Sequence, residues 1–174
     1  MSSFKTFETE RLTLTPTSED DAAFLLELFN TPKWLKFIGD RNIRTADDAR
    51  TYVCEKITPQ LERLGFGSYT IVQKSDGRKI GMCGLYDRAG LEGIDIGFAF
   101  LPEFEGKGFA YEASLQLKNA AFNEFGIDEL LAITTKDNYS SQKLLEKLGL
   151  KVAGTVKIPN DDEELLLYRI CSSR

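Results

Sequence analysis

Gly106 and Gly108 flank Lys107, after an alternating apolar run and before a long helical pattern. Two glycines at a strand-to-helix turn let backbone N–H groups approach a ligand closely, and the helix terminus behind them favours negative charge. Such a turn is an anion nest, or it only reverses the chain. Other phosphate motifs fit poorly. Gly106-Lys107-Gly108 is too short for a Walker loop, and a dinucleotide fingerprint would need glycine where Tyr111 stands. The chain has no histidine. That excludes Ser-His-Asp and Cys-His nucleophile systems and any histidine metal site, and leaves proton transfer to carboxylates, Tyr, Lys, Ser or a bound water.

Charge narrows the partners. Net charge is −5 and the pI about 4.9, so no global basic field serves nucleic acid. An anionic ligand must be held by local backbone groups, whereas an amine is attracted. Cys54, Cys83 and Cys171 are an odd number without CxxC spacing, which argues against a disulfide framework or zinc site and reads as small hydrophobes. With 174 residues, 42 % hydrophobic and 28 % charged, we expect one soluble domain spanning residues 1–174. No apolar run approaches the roughly 20 residues of a membrane span. Met1 to Glu10 carries acidic residues and no apolar core, so we expect a cytoplasmic protein without a secretory signal.

The elements that must position the glycine turn follow from periodicity. Arg11 to Thr15 alternates as a strand. Ser18 caps a helix with Ala22, Leu25, Leu26 and Phe29 on its apolar face, and a second helix starts at Thr45 and runs until Pro59 interrupts it. Ser68 to Lys74 and Lys79 to Tyr86 form a hairpin around Ser75-Asp-Gly-Arg, and Ile94 to Leu101 is the next strand. A long helix from about Lys107 ends before Gly126. Leu130 to Thr134 is a buried strand, Ser140 to Leu148 a helix, and two strands close around Pro159-Asn-Asp-Asp. The order β-α-α-β-β-β-α-β-α-β-β predicts an α/β domain with a mixed sheet.

Three segments resemble one family. Asp95-Ile-Gly-Phe with Leu101-Pro-Glu-Phe-Glu-Gly-Lys-Gly-Phe-Ala-Tyr-Glu-Ala resembles the acetyl-CoA-binding motif of the GNAT superfamily, most like its ribosomal-protein N-terminal acetyltransferase branch. Asp137-Asn-Tyr-Ser-Ser-Gln-Lys-Leu-Leu-Glu-Lys-Leu-Gly-Leu and Glu8-Thr-Glu-Arg-Leu-Thr-Leu-Thr-Pro are similar to two further family segments. The resemblance implies a mostly antiparallel mixed sheet of about seven strands with a central splayed parallel pair, flanked by about four helices. It implies acetyl-CoA as co-substrate, without a metal, and an amine acceptor, protein N-terminus or small molecule. The protein would act as monomer or homodimer. An alternative of another class is a catalytically silent CoA-binding sensor module.

By the same resemblance, the amides of Gly106, Lys107, Gly108, Phe109, Ala110 and Tyr111 bind the pyrophosphate. The strand at Phe98, Phe100 and Leu101 pairs with the pantetheine arm, and Asn138 hydrogen-bonds it. Glu105 replaces the Gln, Arg or Trp usual in the family. Asp95, where the branch often has Glu, is the candidate base, or else a solvated strand-end carboxylate. A backbone N–H near Phe100 would stabilise the oxyanion. Many relatives place a thiolate-protonating Tyr where this chain has Leu145. Ser141 is the candidate replacement or a helix-capping residue, with Tyr139 a weaker donor. Trp34 and Phe37 wall the acceptor cleft or pack in the core, and Asn160 to Glu164 forms an acidic lip or a solvated turn.

Overall fold

The structure, a computed structural model, describes residues 4–173. Side-chain alternation sets the strands and two layers of helix cover them. In chain order the elements are β1 (Phe7–Glu8), β2 (Leu12–Pro16), α1 (Ala22–Leu28), α2 (Pro32–Phe37), α3 (Ala46–Tyr52), α4 (Thr58–Leu64), β3 (Ser68–Gln73), β4 (Lys79–Asp87) and β5 (Ile94–Phe100). Then come α5 (Phe109–Asn123), β6 (Glu129–Thr134), α6 (Tyr139–Lys147), β7 (Lys151–Val156) and β8 (Leu165–Cys171). The strands form one sheet of order β1-β2-β3-β4-β5-β6-β8-β7. All neighbours are antiparallel except β5 and β6. The expected mixed α/β architecture with a central parallel pair is present, with eight strands among the described residues instead of about seven.

Each face of the sheet has its own cover. Cys83 meets Ser114 of α5 at 3.6 Å, so the face carrying Cys83 and its partner Phe98 lies under α5. The opposite face carries Thr70, whose hydroxyl donates to Asp21 at 2.9 Å just before α1. Asp21 also accepts from the Ser18 N–H at 2.9 Å and pairs with Lys79 at 2.7 Å, while Thr17 bridges Thr70 and Ser68 beneath. A buried carboxylate is tolerable there because each oxygen has a donor. Leu25 and Leu28 of α1 are fully buried, and Leu12, Leu14, Tyr69 and Ile71 are fully buried on the opposite side of the sheet, the face that carries Cys83.

Two helical details differ from the sequence reading. Pro59 does not stop the second helix. Residues Val53–Ile57 widen into a π-helical turn, with Thr58 N–H bonded to Val53 O, and the rod continues to Leu64 and ends at Gly65 with φ 82°. The wider turn accommodates a ring that lacks an N–H for the carbonyl four residues back. A short helix, α2, occupies the stretch between the first two expected helices, capped by the Thr31 hydroxyl and started by Pro32. The Thr-Pro pair is the signal for it. The long helix begins at Phe109, two residues later than expected, because Gly108 takes φ 84° and cannot be helical.

Glu112 ties the start of α5 to the β1–β2 turn. It accepts from the Thr9 hydroxyl, from Arg11 N–H at 2.9 Å and from Arg11 Nε at 2.7 Å. Burial pushes its carboxyl up, but the bonds from Thr9 and Arg11 outweigh burial and hold it below the ordinary glutamate value. A lowered folded-state value means stability present above the unfolded pKa and lost as pH falls through the folded one. Glu112→Gln is therefore expected to cost about 1–2 kcal/mol at neutral pH, discounted for partial exposure. The gap to the parent should close on acidification below about pH 4; denaturant melts across pH check this, and a gap constant with pH would contradict it.

Candidate active site

β5 and β6 pair only at Ile94–Leu130 and Asp95–Leu131, after which the two strands diverge. On its other side β5 stays paired with β4 as far as Gly81–Phe100. Leu101 N–H donates to Ile80 O at 2.9 Å, which marks that pair as hydrogen-bonded. Antiparallel bonding alternates, so Ala99 and Gly97 also bond β4, while Phe98 and Phe100 turn their N–H and C=O groups toward the opening. An extended ligand arm can add to this free edge.

The opening leads to the glycine turn. Pro102–Phe104 makes a short turn, and Gly106 and Gly108 take φ 73° and 84°, values costly for residues with a Cβ. A Cβ on Gly106 would meet no atom within 4 Å, whereas one on Gly108 would stand 3.3 Å from Arg11 Nη2. Arg11 braces the turn by donating to Lys107 O at 3.1 Å and lying 4.3 Å over the Phe109 ring. The first turn of α5 has no intrahelical acceptor for its N–H groups, and among the described residues those of Gly106, Lys107 and Gly108 donate to none. Glu105 is drawn into an ion pair with Lys33 of α2. Lys147 of α6 stands 4.1 Å over the Tyr111 ring, adding a cation beside the start of α5.

These features line one cleft of about 1290 Å³. Phe98, Phe100, Gly106, Gly108, Phe109, Ala110 and Tyr111 reach its wall, with Asn138, Ser141 and Asp95. Leu101 does not: its side chain is buried and its N–H belongs to Ile80, which leaves it no donor for a ligand. Lys107 is not among the lining residues either, and its ammonium stands 5.6 Å over the Phe104 ring. Asn138 caps α6 by accepting from Ser141 N–H at 3.3 Å, and among the described residues Asn138 Nδ2 and the Ser141 hydroxyl have no partner. Thus Ser141 occupies the capped first turn and the cleft at once. Leu145 is core, and Tyr139 lies in a shallow neighbouring depression with Phe37.

Asp95 is 1 % exposed and held by both arms of Arg88, Nε at 3.1 Å and Nη2 at 3.2 Å. It is not a solvated strand-end group. Burial pushes its carboxyl above the ordinary aspartate value against the pull of Arg88. Arg88, although burial pulls it down, is raised by the Asp95 charge and stays a cation. The sequence reading missed Arg88, because nothing local marks the loop residue that folds back on β5. Beside this pair the Tyr86 ring lies across the glycine pair Gly84 and Gly97, where any Cβ would stand 2.4 Å and 3.1 Å from it. Burial raises the Tyr86 hydroxyl far above its usual range, so it stays protonated.

Trp34 and Phe37 line the cleft from α2, and Trp34 also stacks on Phe29 at 4.1 Å, so both expected uses coexist. Asn160, Asp161 and Glu163 form the far rim, while Glu164 turns to Lys136. Among the described residues, no cluster of His, Cys, Asp and Glu suited to a metal ion is present. No described helix is long and apolar enough to cross a membrane.

Residues 11–151 match the family model described as an acetyltransferase (GNAT) domain. The uncharacterized N-acetyltransferase YoaA of Bacillus subtilis is 24 % identical over 155 residues, 88 % of this chain and 87 % of the relative. An acetyltransferase structure from Agrobacterium tumefaciens superposes with TM-score 0.82 at 23 % identity, covering 99 % of this chain and 97 % of that one. The ribosomal L7/L12 alpha-N-protein acetyltransferase RimL, solved in complex with coenzyme A, superposes with TM-score 0.80 at 16 % identity, covering 96 % and 98 %.

Proposed function

The chain belongs to the GNAT acetyltransferase family and is an N-acetyltransferase; from that premise we propose that it acetylates the α-amine of a peptide or protein N-terminus by direct attack on the thioester of acetyl-CoA. The carrying observation is the divergence of β5 from β6 after Asp95, which exposes the Phe98 and Phe100 amides in line with the glycine turn. The residues suit a phosphate-ended, extended ligand. Gly106 leaves open space, the turn has unused N–H groups, and β5 has a free edge.

Acetyl-CoA supplies the activated acyl group. Amides from Gly106 to Tyr111 hold its diphosphate, Asn138 Nδ2 donates to the pantetheine arm, and the Phe100 N–H opposes negative charge developing on the acyl oxygen. Asp95 takes the amine proton, directly or through a water; burial makes it a stronger base than a surface carboxylate, and Arg88 fixes its direction. The Ser141 hydroxyl donates to the departing sulfur.

An α-amine with pKa about 8 loses its proton more readily than a lysine near 10.4, which suits a site whose base is a carboxylate. kcat/KM for peptides with a free N-terminus is expected to exceed by at least about tenfold that for the same peptides blocked at the N-terminus but carrying lysine. The opposite order would remove the α-amine assignment.

A further inference from the structure

Half of the charged residues lining the cleft are in ion pairs among the described residues. Asp40 pairs with Arg44, Asp87 with Arg63, Asp95 with Arg88 and Glu105 with Lys33. Arg41 does not. It lines the cleft half-buried, and among the described residues no carboxylate or carbonyl receives its guanidinium. The contrast with Arg44 is sharp. Arg44, three residues on, is stitched to Asp40, Asn30 and the Ile43 carbonyl.

The Arg41 guanidinium is folded back instead of extended into solvent. Its Nη1 lies 3.4 Å from where a Gly39 Cβ would stand, and Gly39 N–H is bonded to Trp34 O at 2.8 Å. Trp34 adds a second orphan. It is 5 % exposed, lines the same cleft, and its indole N–H has no acceptor. An indole N–H and a guanidinium can only donate, and a buried donor left unpaired is costly. Both are unpaired among the described residues, the indole N–H buried and the guanidinium half-buried, on residues of α2 and just after it that line the cleft. The whole chain carries −5; Lys36, Lys56 and Lys147 also line the cleft without an ion pair, Lys36 and Lys147 over the Phe37 and Tyr111 rings, and among the described residues Arg41 is the cleft's one unpaired guanidinium. Across the cleft, Asp161 and Glu163 have no cationic partner among the described residues, so the two rims have opposite sign.

We propose that the acceptor is an anionic amine, with a carboxylate close to the amine that is received by the Arg41 guanidinium and the Trp34 indole N–H. This rests on the reading of the cleft as an amine-acetylating site and names the class of amine. A planar guanidinium binds a carboxylate through two parallel bonds, so Arg41 both attracts and orients such an acceptor. The acidic rim faces the amine end and disfavours a second negative charge there.

The test uses matched acceptors that differ only in that charge: free-N-terminus peptides with Asp or Asn, and Glu or Gln, as the second residue, and free amino acids against their amides. The carboxylate member of each pair is expected to have at least about tenfold higher kcat/KM. In Arg41→Gln the ratio should fall to about one, and in Trp34→Phe, which keeps the ring on Phe29, it should fall by about threefold. Equal rates within every pair, or a preference that survives Arg41→Gln, overturns the proposal. So does failure of every carboxylate-bearing amine to accept acetyl. If peptides are inert but amino acids are acetylated in preference to their amides, the peptide reading fails and this one stands. If peptides are acetylated without regard to the second residue, the reverse holds.

Discussion

Asp95→Asn is expected to lower kcat/KM at neutral pH by about 10²–10⁴-fold, the usual contribution of a positioned base. The substitution keeps the shape of a side chain that is 1 % exposed and leaves Arg88 one oxygen to bond. Arg88 is 31 % exposed and can recruit water, so the fold should survive. The loss should shrink at high pH, where the acceptor has already shed its proton. In the parent enzyme, activity requires Asp95 ionised. Burial raises its value, so the acid limb of the kcat/KM profile should lie above the ordinary aspartate pKa and disappear in the variant. Coenzyme A affinity measured by calorimetry should not change. An equal loss at every pH would assign Asp95 to the framework that holds Arg88 instead of to proton transfer.

Gly106→Asp is expected to weaken coenzyme A by at least tenfold, on the order of 1.4 kcal/mol. Gly106 is a cleaner position than Gly108. An aspartate at 108 would enter beside Arg11, 3.3 Å from its Cβ, and part of its charge would be neutralised there. At 106 the new Cβ meets nothing within 4 Å, and the position stands on the cleft wall. Aspartate tolerates φ 73° better than most residues, so the cost to folding stays near 1 kcal/mol. Gly106→Asn, nearly the same size and without the charge, separates strain from electrostatics. If both variants bind alike, the turn holds no anion; if only the aspartate is weak, the nest stands.

Much of this was legible from spacing. The hairpin around Gly77, the alternation of β5, the cap at Ser18, the helix start at Thr45 and the glycine turn before α5 all depend on residues near in sequence, and the structure has them. What escaped was made by contacts between distant segments. Arg88 reaches Asp95 because the loop after β4 curls back; Lys33 reaches Glu105 across 72 residues; Arg11 and Glu112 meet across 101. Pro59 misled for a different reason. Its missing N–H forbids the ordinary helical bond, but a π turn upstream changes which carbonyl would have needed it. The family resemblance put Leu101 on the ligand edge with Phe98 and Phe100, although pleat alternation alone sends its N–H the other way.

The divergence of β5 and β6 also bears on how the molecule holds together. Past Asp95 and Leu131 the eight-stranded sheet is two sheets, β1 to β5 and β6 to β8, sharing a seam of two residue pairs. The C-terminal block, with its all-exposed outer strand β7 up to Thr155, is therefore a natural unit of partial opening. An arm lying along both edges would replace the missing rungs and fasten the halves. Binding energy at the cleft would then become cooperativity of the whole fold, and the free protein is expected to open more readily across β6 to β8 than across β1 to β5.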